Sequence, residues 1–249
     1  MKIEVESKDL TSSMFAHYID SFGSILVRSL FNQRQIQRTL QAVIEHFQVA
    51  HESCDEERYF MEKYRGAAFI SRIEKMEKIS PSIVDLFRES PLPDILRDYF
   101  NDEVGIVNRQ SRFRRMKADS SQHALPAHQD FVVFNSLAAF TVWIPLVDSG
   151  EHNPGLSVFS ENVRAVIDHS LDKTCGRYAE LELEDYYRDP QKWLEPIVRS
   201  GDVIIFPPTT IHRTFLPKKV TKDRYSSELR IVPKSCFAMP RYKGDIVEI

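Results

Sequence analysis

From residue 104 onward the chain breaks into short runs: GIVNRQSRFRRMKA, FVVFNSL, AAFTVWIPLVD, GLSVFSE, GDVIIFPPTTIHRTF and SSELRIVPKSCFA. Each is rich in β-branched and aromatic residues, and Gly, Pro, Asp and Asn punctuate them. Such side chains suit a pleated, half-buried surface, and turn residues at this spacing fold successive strands back on one another. The pattern predicts a mainly β core of antiparallel strands, a sandwich or barrel. One segment, 161–197, interrupts the rhythm with Glu, Asp, Tyr and Arg, and a helix is predicted near LELEDYYRD.

The first hundred residues follow a different period. In FNQRQIQRTLQAVIEHFQVA, residues 31–50, Ile36, Leu40, Val43, Ile44 and Phe47 fall on one face of a helix. SPSIVDLFRES offers Ser80 as an N-cap and Pro81 at the first helical position. PLPDILRDYF, 91–100, reads as a further short helix. No repeat, low-complexity tract or Gly/Ser linker divides the chain. The expected organisation is a single domain over 1–249, with a mostly helical layer at 1–103 and a β core at 104–240 carrying the 161–197 insertion.

Composition removes several function classes. Lys and Arg number 33 against 36 Asp and Glu, a net charge of −3, which lacks the basic footprint of a nucleic-acid binder. The three cysteines, Cys54, Cys175 and Cys236, are scattered without CxxC spacing, which argues against a disulfide framework or zinc ribbon and suits a reducing cytoplasm. The charged start MKIEVESKDL does not match the apolar core of a signal peptide. FNSLAAFTVWIPLV is interrupted by Asn135, Ser136 and Pro145 and falls short of a membrane span. The expectation is a soluble cytoplasmic protein of undetermined oligomeric state, with no nucleic-acid or membrane partner.

Chemistry enters at PAHQDFVVFNSL, residues 126–137, which reads as a strand. His128 and Asp130 are two apart and would share a face, with Gln129 on the other. A lone His-x-Asp is more often a structural pair than a metal site. A third candidate ligand changes the balance: in GDVIIFPPTTIHRTF an apolar strand is followed by Thr210, His212 and Thr214 at period two. His152 and His169 lie in polar loop or insertion sequence and are poorer candidates. Two imidazoles and one carboxylate on one side of a metal leave three coordination positions open, the facial arrangement of non-haem Fe(II) oxygenases. Zinc accepts the same donors, although its catalytic sites usually leave one position open.

VTKDRYSSELRIVP adds a charged face, since Arg224, Ser226, Glu228 and Arg230 alternate with their neighbours. A dicarboxylate co-substrate chelating a metal at one end needs its distal carboxylate neutralised, because an unpaired buried charge costs several kcal/mol. A guanidinium with an adjacent hydroxyl does this well, and Arg224 with Ser226 fits that role. Arg230 is as readily an exposed strand residue as a ligand-binding one. Arg112 and Arg114 in SRFRRMK share a face; with Arg230 they could hold an anionic substrate, though a solvated strand face explains them more simply.

Taken in order, AHQDF, FTVWIPLVDSGEHNPGLSVFS, GDVIIFPPTTIHRTF and RYSSELR resemble the phytanoyl-CoA dioxygenase (PhyH) family of Fe(II)/2-oxoglutarate oxygenases, over roughly residues 105–235. The resemblance implies a double-stranded β-helix, a jelly-roll or cupin-like barrel, binding iron and 2-oxoglutarate in its mouth. It places His128, Asp130 and His212 as iron ligands and Arg224 on the distal carboxylate. Thr214 falls where a hydroxyl residue is common near that carboxylate, and Trp143 where an aromatic lines the co-substrate pocket. It further implies a dioxygenase that consumes O2 and 2-oxoglutarate, releases succinate and CO2, and hydroxylates a small-molecule substrate. Asp130 matters here, because related halogenases replace that carboxylate with a small residue. The chain departs from the family in NPGLSVFSENVR, which lacks a serine-histidine ending, and in the long 161–197 insertion; both bear on the substrate pocket. Two other readings stay open on the sequence: a cupin-like metal protein acting as an isomerase or hydrolase, and an inactive barrel serving as a binding module.

Overall fold

The computed structural model describes residues 3–53, 68–72, 80–118, 124–171, 179–181 and 185–249. Its strands are β1 (Glu4–Glu6), β2 (Ile25–Arg28), β3 (Ala68–Arg72), β4 (Val104–Val107), β5 (Arg112–Met116), β6 (Phe140–Pro145) and β7 (Gly155–Phe159), followed by β8 (His169–Leu171), β9 (Ala179–Leu181), β10 (Trp193–Leu194), β11 (Val203–Phe206), β12 (His212–Phe215), β13 (Arg224–Pro233) and β14 (Ile246–Glu248). The helices are α1 (Ser12–Phe22), α2 (Gln33–Ser53), α3 (Ser80–Arg88), α4 (Leu92–Phe100), α5 (Phe131–Phe134) and α6 (Asp185–Arg188). A nine-stranded sheet runs β1-β2-β11-β6-β13-β4-β14, with β5 beside β13 and β3 beside β5. A second sheet of three strands runs β10-β7-β12.

Strand parity sorts the core into two layers. Ile25 and Val27, Val142 and Ile144, Val203 and Ile205, and Leu229 and Ile231 face one way, against Phe15 and Ile19 of α1, Ile36 and Val43 of α2, Phe87 of α3 and Leu96 of α4. The intervening residues Leu26, Trp143, Ile204 and Phe206 face the other way and pack on Leu156 and Val158 of β7. Alternate side chains of a strand point to opposite faces, so a helical layer and a second sheet share the same strands. Each large side chain fully buried this way contributes roughly 1.5–3 kcal/mol. The result is a jelly-roll in which two sheets face one another rather than closing into a hydrogen-bonded barrel. β1, β2 and β3 show that the N-terminal hundred residues supply sheet as well as helices.

Local chemistry fixes α1, whose C-terminal cap meets the turn before β12. The Thr11 hydroxyl accepts from the Met14 amide at 3.2 Å, capping the first turn. Gly23 ends the helix at φ 69°, a left-handed conformation that favours glycine, and a Cβ there would stand 3.0 Å from Asn162 Cα. The Thr210 hydroxyl donates to the Gly23 carbonyl at 2.5 Å, tying the turn before β12 to the helical layer.

The strand expected over residues 126–137 does not form. His128 makes an isolated antiparallel bridge with His212, and residues 131–134 are a short helix, α5. Tertiary contacts override the β propensity of FVVF. The Phe131 amide donates to the Pro208 carbonyl at 2.9 Å, and Asn135 closes the turn in the left-handed conformation at φ 50°. Phe134 is fully buried against Tyr242, whose hydroxyl donates to the Phe134 carbonyl at 2.6 Å.

In the insertion, β8 and β9 form a hairpin and β10 extends the three-stranded sheet. Its apolar residues Val163, Leu181 and Trp193 pack on Phe159, whose side chain points away from Leu156 and Val158. These residues therefore cover the outer face of the smaller sheet. The helix expected near LELEDYYRD is the single turn Asp185–Arg188, and residues 182–184 lie outside the described residues. Cys236 is buried and unpaired, while Cys54 and Cys175 also lie outside the described residues. No helix among the described residues is long and apolar enough to cross a membrane.

Candidate metal centre and co-substrate pocket

Two backbone hydrogen bonds, His128 amide to His212 carbonyl at 2.9 Å and the reverse at 3.0 Å, bring the two histidines together at the edge of the smaller sheet. Their rings lie 4.2 Å apart. The His128 Nδ1 faces the Pro126 carbonyl at 2.8 Å, and the His212 Nδ1 faces the Thr210 carbonyl at 3.0 Å. A carbonyl can only accept, so each Nδ1 carries the proton and each Nε2 keeps its lone pair for a ligand. Phe206 packs 4.6 Å from the His212 ring and holds it in place. Asp130, the residue preceding α5, completes the set: one ligand atom from each of His128, Asp130 and His212 lies within 4.8 Å of the others.

Charge around this set is arranged by the inward face of the large sheet. Thr141 of β6 donates to Asp130 Oδ2 at 2.6 Å, and Arg230 of β13 contacts both that oxygen and the Thr141 hydroxyl. Arg230 Nη2 also donates to Glu228 Oε2 at 3.1 Å. Arg114 of β5 grips Glu228 with a fork, Nε to Oε1 at 2.6 Å and Nη2 to Oε2 at 3.1 Å. Burial alone would raise both carboxyls; the guanidiniums prevail and hold Glu228 down at about 2 and Asp130 well below the usual carboxylate range. Burial, reinforced by the neighbouring His212, pushes His128 down to about 3, so its imidazole is neutral and ready to ligate.

Arg224 occupies the same cavity in a different state. It is 4% exposed and donates to the Gly155 carbonyl at 3.1 Å, while its Nε has no partner. The adjacent Ser226 Oγ is equally enclosed and also lacks one. Burial, with Arg114 nearby, pushes Arg224 down to about 10 despite the attraction of Glu228. Buried donors without acceptors are rare in folded proteins. A carboxylate entering here would satisfy both groups, so this pair fits one end of 2-oxoglutarate, as the two imidazoles and carboxylate fit iron.

His128, Asp130, His212, Arg224, Thr214, Trp143, Arg230 and Arg114 all line this one cavity. Ser226 adjoins Arg224 on the same face of β13, and Arg112 is not among the lining residues. The Thr214 hydroxyl accepts from the Leu125 amide at 3.0 Å. Gln129 points elsewhere: its amide nitrogen donates to the carbonyls of Ala165 and Thr209, at 2.9 and 2.6 Å. Sequence reasoning missed Thr141, Phe206 and the bridging role of Glu228. Parity held the signal for the first two, because Thr141 sits two residues from Trp143, and Phe206 two from Ile204, on the inward face.

A search of curated proteins gave no significant match. Among solved structures, the 2-oxoglutarate-dependent carbocyclase SnoK of nogalamycin biosynthesis superposes with a TM-score of 0.66 at 15% identity, covering 92% of this chain and 87% of that one. EctD from S. alaskensis, with 2-oxoglutarate and 5-hydroxyectoine, gives 0.65 at 16% identity over 91% and 77%. The epimerase SnoN, in complex with Fe3+, 2-oxoglutarate and nogalamycin RO, gives 0.63 at 14% identity over 89% and 83%. These likenesses show the fold. The profile of the phytanoyl-CoA dioxygenase (PhyH) family matches residues 19–216, and the chain therefore belongs to this family of non-haem iron, 2-oxoglutarate-dependent oxygenases.

Proposed function

We propose that this chain hydroxylates a small-molecule substrate, with His128, Asp130 and His212 as the Fe(II) ligands and Arg224 and Ser226 as the anchor for 2-oxoglutarate. The observation that carries the reading is a juxtaposition. Two imidazoles with Nε2 free and a carboxylate converge in one cavity that also holds a buried guanidinium lacking a carboxylate partner among the described residues. Bound iron supplies the redox chemistry, coupling O2 and the decarboxylation of 2-oxoglutarate to succinate and CO2 with insertion of oxygen into a substrate C–H bond.

The protein's own groups supply position and charge. Pro126 and Thr210 carbonyls orient the imidazoles, Arg224 and Ser226 fix the far end of the co-substrate, and Trp143 and Leu156 wall the cavity against water. Four arginines, Arg114, Arg213, Arg224 and Arg230, against the two carboxylates of Asp130 and Glu228 leave the lining two positive charges in excess. Fe(II) and dianionic 2-oxoglutarate cancel, so this charge favours an anionic substrate. The unpaired buried Cys236 suits a cytoplasmic, reducing location.

Anaerobic addition of Fe(II) and 2-oxoglutarate to the purified protein is expected to give a visible charge-transfer band, and admission of air to release succinate. Absence of both would sink the reading. Replacing His212 with alanine is expected to remove the band.

A further inference from the structure

Gln129 stands in the chain between two of the three residues assigned to the metal, yet its side chain is fully buried outside the cavity. Its amide nitrogen donates to the Ala165 carbonyl at 2.9 Å and to the Thr209 carbonyl at 2.6 Å, and its Oε1 accepts from the Ile167 amide at 2.9 Å. An NH2 group has two hydrogens, and both are used here. Three backbone groups from two remote segments thus converge on one side chain: Thr209 belongs to the turn before β12, and Ala165 and Ile167 belong to the insertion. We propose that Gln129 is a positioning residue that couples metal binding at His128, Asp130 and His212 to the order of the insertion. The proposal rests on the assignment of those three residues as metal ligands.

The stretch carrying His128 has two edges. On one it meets β12, through the paired backbone hydrogen bonds of His128 with His212 and the Thr214 amide donating to the Leu125 carbonyl at 3.0 Å. On the other, the Leu181 amide of β9 donates to the Ala127 carbonyl at 3.0 Å, and Ala127 joins Val163, Leu181 and Trp193 of the insertion in one apolar cluster. The insertion therefore supports the ligand stretch from its far side. Residues 162–168 belong to no helix or strand, so no ladder of their own holds their backbone. The Gln129 amide, the buried Val163 and the Asn162 side chain, which donates to the Asp20 carbonyl at 2.8 Å, place this segment.

The coupling follows from where this amide is attached. Ligation of His128 and Asp130 by one ion fixes the backbone on both sides of Gln129. The same amide grips the Thr209 carbonyl, and the next carbonyl along, that of Thr210, faces the His212 Nδ1 and orients its imidazole. Ordering any one of these partners lowers the entropic cost of ordering the others. The effect is reciprocal: a metal that steadies the insertion is itself held more tightly while the insertion is in place. A buried amide that lost one partner would keep a donor or acceptor unsatisfied, which disfavours an arrangement with the segment only half attached.

Hydrogen exchange read by mass spectrometry, with Mn(II) as the only addition, tests this without turnover. In the unaltered protein Mn(II) is expected to slow exchange in the peptide spanning 163–168 about tenfold, within the ordinary range of coupling between sites. Gln129→Met keeps the length and loses the amide; it is expected to abolish that slowing and, by reciprocity, to weaken Mn(II) binding about tenfold. A residue that only supported the fold would raise exchange equally with and without Mn(II), leaving the metal-induced ratio as it was. From the insertion side, Ile167→Pro removes the donated amide without touching the ligand stretch, and Ile167→Ala removes the apolar contact but keeps the amide. The first is expected to weaken Mn(II) binding and the second to leave it within about threefold. Exchange at 163–168 that ignores Mn(II) in the unaltered protein overturns the proposal, as does equal slowing in Gln129→Met. If Gln129→Met does not fold, equal Mn(II) affinities of the two Ile167 variants overturn it. Failure of the unaltered protein to bind Mn(II) would instead refute the ligand assignment itself.

Discussion

Replacing Arg224 with methionine is expected to separate stability from function. The guanidinium is 4% exposed, its Nε has no partner, and its one hydrogen bond goes to the Gly155 carbonyl at 3.1 Å. Enclosing an ion costs several kcal/mol after relaxation, whereas the hydrogen bond returns about 1–3 kcal/mol. The cost wins, so without co-substrate Arg224 destabilises the fold. Methionine has a similar length, fits irregular apolar space and carries no charge. The variant without ligand is expected to be more stable by about 1–2 kcal/mol, a rise in Tm of roughly 2–8 °C for a chain of this size. Binding should change in the opposite sense. Losing the buried partner of the distal carboxylate costs about 3–5 kcal/mol, so 2-oxoglutarate should bind at least about a hundredfold more weakly while Mn(II) affinity stays within about threefold. Thermal unfolding with and without 2-oxoglutarate, alongside Mn(II) titration, reads all three quantities. A lower Tm combined with an undiminished 2-oxoglutarate-induced shift would refute the reasoning, since Arg224 would then be a structural residue already satisfied by the protein.

Glu228 gives a pH signature. Its folded pKa is depressed to about 2 from an ordinary 4.5, so its contribution to stability is fully present above about pH 5 and is lost as pH falls through about 2. The metal-free Glu228→Gln variant should therefore be least stable relative to the unaltered protein at pH 7, with the gap narrowing from pH 5 downward in denaturant titrations; a gap that stays constant would contradict this. At the turn before β7, Gly150 has φ 94°, and an added Cβ would stand 2.6 Å from the Pro196 carbonyl oxygen. Gly150→Ala is expected to cost about 1–3 kcal/mol, measurable as a lower denaturant midpoint with an unchanged slope.

Periodicity in the sequence carried the division into helical layer and β core, because both periods depend on which face of an element is buried. The apolar stripe of residues 31–50 became α2, and the runs after residue 104 became β4, β5, β6, β7, β11, β12 and β13. The same alternation marked Arg224, Ser226, Glu228 and Arg230 as one row on the cavity side, which is why the residues of the proposed co-substrate anchor could be picked out. FVVF failed for the opposite reason. Its β-branched composition is a weak local preference, and contacts with Pro208 and Tyr242, far away in sequence, decide its backbone. His128 and Asp130 therefore converge without the strand that was to align them: the bridge to His212 places one and the first turn of α5 the other.

The division of labour among the arginines was illegible for a related reason. Parity tells which residues face inward but not which cross-strand neighbour each will meet. Register sets that: Arg230 lies opposite Thr141, and Arg114 lies opposite Ser226 in the neighbouring row. With that register, Arg114 and Arg230 converge on Glu228, while Arg224, two residues beyond Ser226 on the same face, reaches no carboxylate. A one-residue slip of β13 would turn the whole row toward the helical layer and bring Tyr225, Ser227, Leu229 and Ile231 to the cavity in its place. The long β13 ladder, held by β6 on one side and by β5 and β4 on the other, prevents that slip. It therefore leaves the Arg224 guanidinium without a carboxylate, as the proposed co-substrate anchor requires, and commits Arg114 and Arg230 to the protein's own carboxylates.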